Sequence, residues 1–143
     1  MKSDNILVPV DFSDSSTNAV GEAIELAGDP ARVHLLHVLP PLESISPGVV
    51  WGDVTDVNRE QAVRKYAEKY LAEHSYQGVT FDVTIGQPGH EICEYAEETD
   101  AAMIVISSHG YHGMKRFLLG SVAEVVIRHA HVPVLVLRRA DAE

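Results

Sequence analysis

A short apolar run at positions 101–106, AAMIVI, most constrains what this chain can fold into. No polar residue alternates within the run, so a strand formed here would be covered on both faces, as in a parallel sheet flanked by helices. Apolar character stops at once at Ser107, and a polar segment containing Gly110 follows. The run therefore predicts a buried strand that ends in a glycine-bearing loop.

Similar runs alternate with helical patterns along the whole chain. Strands are predicted at 5–10, 32–39, 79–85, 101–106 and 132–137. Apolar residues spaced three or four apart predict helices at 15–27, 55–75 and 90–99, and a last helix that starts at 121. The order βαβαβαβαβ predicts an α/β fold, a doubly wound parallel sheet with right-handed crossovers and helices on both faces. We expect one domain over residues 1–143.

Two of the strands have the features of sheet edges. Residues 79–85 alternate apolar and polar side chains, which is typical of a strand with one solvated face. Pro133 lacks the N–H that a central ladder requires, so the last strand is also expected at an edge. In such sheets ligands bind beyond the carboxyl ends of the strands, where the strand order reverses. If the first and fourth strands are neighbours there, Asp11 faces the glycine loop.

The loop after the fourth strand has the composition of a phosphate site. Gly110, Gly113 and Gly120 precede a helix start at Ser121, where Ser121-x-x-Glu124 predicts a capping box. Glycines let backbone N–H groups approach an anion, and the first N–H groups of a helix are donors at its positive end. The alternative is that the glycines only form turns and Ser121 only caps its helix. Neither GxxxxGK[ST] nor GxGxxG occurs, so a nucleotide site would be of another kind.

Charge and cysteine content narrow the function classes. A formal charge of −10 weighs against a nucleic-acid or anionic-membrane surface, because both need clustered cations. Lys115 and Arg116 in the loop could neutralise a phosphate or simply face solvent. The single cysteine, Cys93, excludes an internal disulfide and indicates a reducing compartment. No apolar run is long enough to cross a bilayer, so we expect a cytoplasmic protein.

The chain resembles the universal stress protein family over nearly its whole length. The segments that carry the resemblance are NILVPVDFSDSS, VHLLHVLPP, IGQPGHEI and the stretch 107–138. The ATP-binding branch of that family has a loop G-x2-G-x9-G-[ST], which here reads Ser107-x2-Gly110-x9-Gly120-Ser121. Serine at the first position keeps the backbone N–H and costs only steric room.

The resemblance implies an adenine-nucleotide alpha-hydrolase-like sheet of order 3-2-1-4-5 and a homodimer formed through the last strand, 132–137. It also implies that ATP, or another adenine nucleotide, lies between the first and fourth strand ends, with Mg²⁺ or Mn²⁺ bridging the phosphates. Val38, just past the second strand, would offer backbone hydrogen bonds to adenine. The full nucleotide-binding set by position is Pro9, Val10, Asp11, Val38, Ser107, Gly110, Gly120, Ser121 and Val122, with His109, Gly113, Lys115 and Arg116 as secondary candidates.

Three functions remain open from the sequence. The first is a regulator in the stress response that binds an adenine nucleotide and passes its state to a protein partner or across the dimer. The second is a slow ATPase, or a phosphate- or nucleotidyl-transferring enzyme, that uses His109 or His112 with a metal ion. The third is a dimeric stress module whose loop binds no nucleotide. We assign no catalytic residue, and no metal site built from protein side chains alone.

Overall fold

The computed structural model of the protein describes residues 4–41, 56–108 and 119–138. They form a five-stranded parallel sheet of order β3-β2-β1-β4-β5, which confirms the predicted fold class and strand order. The strands are β1 Ile6–Pro9, β2 Val33–Leu39, β3 Thr80–Ile85, β4 Met103–Ser107 and β5 Val134–Leu137. The helices are α1 Asp14–Ala27, α2 Asp56–Glu73, α3 Pro88–Glu98 and α4 Ser121–His129.

Two apolar clusters hold the layers together, one on each face of the sheet. On one face, Val8 of β1 packs with Val20 of α1 and Tyr70 of α2. On the other, Leu7 packs with residues of α3 and α4 such as Val126. Successive side chains of β1 therefore enter opposite clusters, as the period of a strand requires. Because both faces are covered, β1 and residues 103–106 of β4 are apolar throughout.

The start and end of α1 follow from local capping. Ser13 precedes the helix, and its Oγ accepts a hydrogen bond from the Ser16 N–H at 3.2 Å. Gly28 ends it with a left-handed backbone (φ 73°), and its N–H donates to the carbonyl of Ile24. A residue with a Cβ adopts this conformation at a cost, so glycine suits the position. The predicted stop at Gly28 is confirmed.

The predicted capping box at the start of α4 is wrong. Gly120 is the cap residue, with an extended backbone (φ −63°, ψ 152°), and Ser121 is already the first helical residue. The hydroxyl of Ser121 thus comes one position too late to cap the helix, since a capping box needs the hydroxyl on the cap residue itself. Among the residues that the structure describes, no side chain caps the first turn of α4.

Both predicted edge strands lie at the edges of the sheet. At one edge, β5 starts after Pro133, whose carbonyl accepts a hydrogen bond from the Ile104 N–H at 2.9 Å. At the other, Asp82 of β3 accepts from Arg64 of α2 at 2.9 Å and from the Tyr95 hydroxyl of α3 at 3.2 Å. Asp82 thus links the two helix layers around this edge. Among the described helices, none has the length and apolar character to cross a bilayer.

Candidate functional site

The carboxyl ends of β1 and β4 lie side by side at the point where the strand order reverses. The two strands pair in parallel, with Ile6 opposite Met103 and Leu7 opposite Ile104. From here α1 leaves over one face of the sheet and α4 over the other. A crevice between the two connections is where doubly wound folds bind ligands. The predicted adjacency of the first and fourth strands is confirmed.

The turn between β1 and α1 is held by backbone and side-chain hydrogen bonds. The Val10 N–H donates to the Leu36 carbonyl at 2.9 Å, and the Val10 carbonyl lies 2.7 Å from Nδ1 of His37. A carbonyl can only accept, so His37 carries its proton on Nδ1 and donates. After Val10, the Asp11 carboxylate accepts from the Ser13 N–H at 3.0 Å. Both polar backbone groups of Val10 and one carboxylate oxygen of Asp11 are thereby oriented.

Phe12, between Asp11 and the helix cap, has a left-handed backbone with φ 64°. For a bulky residue this conformation costs about 1–3 kcal/mol. Four rings contact its own, with centroid distances of 4.9 Å to Tyr66, 5.2 Å to Tyr70, 5.2 Å to His37 and 6.2 Å to Phe81. Aromatic pairs contribute about 0.5–1.5 kcal/mol each beyond burial, so together they offset a backbone cost of this size. The sharp turn after Asp11 is stable for this reason.

The connection from β4 to α4 returns to the strand that it left. The Ser108 N–H donates to the Leu137 carbonyl at 2.7 Å, which extends the pairing with β5. The Gly120 N–H donates to the Ser108 carbonyl at 2.6 Å, so the start of α4 is joined to the end of β4. The N–H groups of the first turn of α4 have no acceptor within the helix, and glycine offers none from a side chain. This helix start therefore has the donors and the dipole that an anion requires.

Val38 lies inside β2, opposite Thr84 of β3, so its predicted place just past the strand is wrong. The predicted strand bounds, 32–39, already included Val38, and the pairing of β2 with β3 continues to Leu39. Backbone groups along a strand point alternately to its two neighbours. The Leu36 carbonyl accepts from Val10 and the Leu39 carbonyl from Gly86, so the backbone groups of Val38 face the β1 side. They do so beyond the last paired residue of β1, at the crevice.

The structure thus brings two groups of predicted residues to the carboxyl end of the sheet, where the parallel strands finish. Pro9, Val10, Asp11 and Val38 come from β1 and β2, and Ser107, Gly120, Ser121 and Val122 from the β4–α4 connection. Val10 is buried, so its contact with a ligand would be through the backbone, whereas Asp11 and Val122 are half-exposed. The other predicted positions lie outside the described residues; these are His109, Gly110, His112, Gly113, Lys115 and Arg116.

Three further residues at the carboxyl end of the sheet were not predicted as part of the site from the sequence. The side chain of Arg59, on α2, is only 13% exposed and donates to the Pro40 carbonyl just past β2 at 2.5 Å. His37 was predicted only as part of the strand 32–39, and Phe12 lies between the strand predicted at 5–10 and the helix predicted at 15–27. Phe12 directly precedes Ser13, the cap residue of α1, and this position in the sequence was the available signal for a sharp backbone reversal. Within the described ranges, no three His, Cys, Asp or Glu side chains are grouped to hold a metal ion.

Comparisons with known proteins agree with this fold and sequence. The model of the universal stress protein family matches residues 2–138. Universal stress protein MJ0531 of Methanocaldococcus jannaschii is 35% identical, covering 96% of this chain and 84% of the relative. The solved structure of the universal stress protein UspA from Lactobacillus plantarum has a TM-score of 0.71 at 26% identity, with 96% and 99% of the two chains covered.

A third comparison concerns a protein solved with a ligand. The structure of the universal stress protein from Archaeoglobus fulgidus in complex with dAMP has a TM-score of 0.60 at 25% identity, with coverages of 95% and 98%. The family match extends over almost the whole chain, and the sheet order is the one that the family resemblance implied. On these findings the chain belongs to the universal stress protein family.

Proposed function

We propose that this protein binds ATP, or another adenine nucleotide, between the ends of β1 and β4 and acts as a nucleotide-dependent regulator in the stress response. The observation that carries the proposal is the uncapped start of α4, joined to the end of β4 by the hydrogen bond from Gly120 to Ser108. This helix start lies at the same end of the sheet as the oriented carboxylate of Asp11. The dAMP complex of the related Archaeoglobus fulgidus protein supports an adenine nucleotide as the ligand class.

The two parts of the nucleotide would meet different groups. The backbone of Val38 would hydrogen-bond the adenine edge, and the Asp11 carboxylate would accept from a ribose hydroxyl while still accepting from Ser13. The N–H groups at the start of α4, from Ser121 and Val122, would meet the phosphates. A Mg²⁺ or Mn²⁺ ion would offset the phosphate charge, which matters in a chain of net charge −10.

We further propose that the protein acts in the cytoplasm as a homodimer. The outer edge of β5, Val134–Leu137, is the surface for the second copy, because an apolar edge strand can extend its ladder by pairing. The β3 edge is less suited, since Arg64 and Tyr95 converge there on Asp82. The bound nucleotide would then bias the contact with a protein partner or with the second copy.

The experiment that tests the site is Gly120→Asp. The backbone of Gly120 is extended with a negative φ, which aspartate adopts without backbone strain, and its carboxylate would cap α4 in place of a phosphate. The cap and the helix dipole would stabilise the ligand-free protein by about 0.5–1 kcal/mol, while the ATP affinity falls at least tenfold. Gln77→Asp is the matched control, because it adds the same charge at an exposed turn between α2 and β3, which lies at the amino end of the strands, away from the proposed site.

Three measurements decide the outcome. Calorimetric titration with ATP and Mg²⁺ gives the affinities, and thermal unfolding without ligand gives the stabilities. The nucleotide released from freshly purified, denatured protein is identified by chromatography. If the wild-type protein neither releases nor binds an adenine nucleotide, the proposed function is wrong. If Gly120→Asp binds ATP as tightly as Gln77→Asp does, the phosphates lie elsewhere.

A further inference from the structure

From the contacts of the β1–α1 turn, we infer that His37 is a positioning residue of the nucleotide site, which sets the affinity for the adenosine part through the Val10 carbonyl. The inference rests on the proposed function and adds a residue that lies outside the predicted binding set. It starts from a side chain that makes two contacts with the turn. These are a hydrogen bond from Nδ1 to the Val10 carbonyl at 2.7 Å and a ring contact with Phe12 at 5.2 Å.

The hydrogen bond replaces part of the sheet ladder. In a parallel pair, the strand that gives a carbonyl to Val10 would normally return an N–H two residues later. Here the Leu36 carbonyl accepts from Val10, but the Val10 carbonyl receives the ring N–H of His37. The backbone of Val38 is therefore directed at the crevice while Val10 keeps a donor. The side chain of His37 thus supplies a donor to the Val10 carbonyl, so the pairing of β1 with β2 can end at the crevice while this carbonyl stays hydrogen-bonded.

The contact between the rings of His37 and Phe12 supports the two residues that follow Val10, which are Asp11 and Phe12. The ring contacts of Phe12 offset the cost of its left-handed backbone, and His37 supplies one of the four rings. The reversal at Phe12 directs the Asp11 carboxylate toward Ser13. His37 therefore supports Val10 by hydrogen bonding and Asp11 by packing through Phe12. Both are residues at which adenosine would bind, whereas the start of α4 belongs to a different connection.

Two substitutions separate these contributions. His37→Asn keeps a nitrogen donor at nearly the position of Nδ1 but removes the ring, and His37→Phe keeps a ring beside Phe12 but removes the donor. His34→Phe is the matched control, since His34 lies on the same strand and bonds to Thr80 on β3 instead of the turn. The affinity for ATP with Mg²⁺ is measured by calorimetric titration well below each unfolding midpoint. Competition by inorganic tripolyphosphate reports on the phosphate part alone.

We expect His37→Phe to bind ATP at least fivefold more weakly, with its affinity for tripolyphosphate unchanged. His37→Asn should recover most of the ATP affinity, and His34→Phe should bind ATP within twofold of the wild-type protein. If His37→Phe does not fold, His37→Leu takes its place as the variant without a donor.

Several results would overturn the inference. One is ATP binding by the donor-free variant at the wild-type affinity, and another is an equal loss of ATP and tripolyphosphate binding, which would indicate a general structural role. Failure of His37→Asn to recover affinity would show that the hydrogen bond is not the cause. Absence of ATP binding by the wild-type protein would remove the proposed function itself, which distinguishes the two failures.

Discussion

The contact between α3 and α4 makes Gly89→Ala the most informative change in the scaffold. A Cβ at position 89 would lie 2.4 Å from Cγ1 of Val125 and 2.5 Å from its Cβ. Real Cβ atoms do not approach other atoms so closely, so the two helices must separate. Because α4 also forms the predicted phosphate site, the same movement would displace its N-terminus.

The magnitude follows from two opposing terms. Inserting a methyl group into a packed contact costs typically about 1–3 kcal/mol. Alanine is a better helix former than glycine by up to about 1 kcal/mol, and by less here because Gly89 is in the first turn of α3. The net effect is a destabilisation of about 1–2 kcal/mol, which lowers the unfolding midpoint by roughly 3–8 °C for a chain of this size.

The assay is thermal and urea unfolding of single and double variants. Val125→Gly removes both clashing atoms and should restore most of the lost stability to Gly89→Ala, beyond its own helix-propensity cost. Val125→Ala leaves its Cβ 2.5 Å from the new methyl group and should restore little. Gly21→Ala is the control, since the nearest atom to its Cβ would be the Tyr76 hydroxyl at 4.0 Å, and it should be neutral or stabilising. A neutral Gly89→Ala, or one that Val125→Gly does not rescue, would refute the close-packing argument.

Two further predictions concern pH. Burial lowers the pKa of His34 below its ordinary 6.5, so the unfolded chain takes up the proton first as the pH falls. The stability due to neutral His34 is present above pH 6.5 and lost below it, and His34→Asn should reduce the drop in urea midpoint between pH 7.5 and 5.5; an undiminished drop would contradict this. Burial, and then the charge of Glu94, raise the pKa of Glu91 above 4.5, so its ionised form opposes folding above that pH. Glu91→Gln should therefore unfold at higher urea than the wild-type protein at pH 7 but not at pH 3.5, and an equal gain at both would point to packing instead of charge.

The sequence predicted the elements best where local chemistry decides them. The run at 101–106 is apolar throughout because β4 is covered on both faces, and Gly28 ends α1 because only glycine adopts that backbone readily. Pro133 lies just before an edge strand because it has no backbone N–H to donate to a central ladder. Each signal lies within a few residues of the feature that it predicts. These features were therefore readable without the rest of the chain.

The misplaced features are those where a distant contact overrides a local pattern. Ser121 and Glu124 have the spacing of a capping box, but Gly120, whose N–H donates to the Ser108 carbonyl, takes the cap position and Ser121 is the first helical residue. On α2 the helical spacing of apolar residues predicts a face turned to the core, yet Tyr66 is 55% exposed. Its ring instead contacts Phe12 at the turn, a residue 54 positions away.

By itself, the sequence determined the alternation of strands and helices, the class of sheet and the residues at each strand end. These follow from hydrophobic period, glycine and proline, which act over a few residues. Only the tertiary structure decided that His37 donates to Val10, that Phe12 takes a left-handed backbone and that Gly89 contacts Val125. Such contacts join elements far apart in the chain, and they form because close packing and hydrogen-bond satisfaction select among conformations that local preference leaves open.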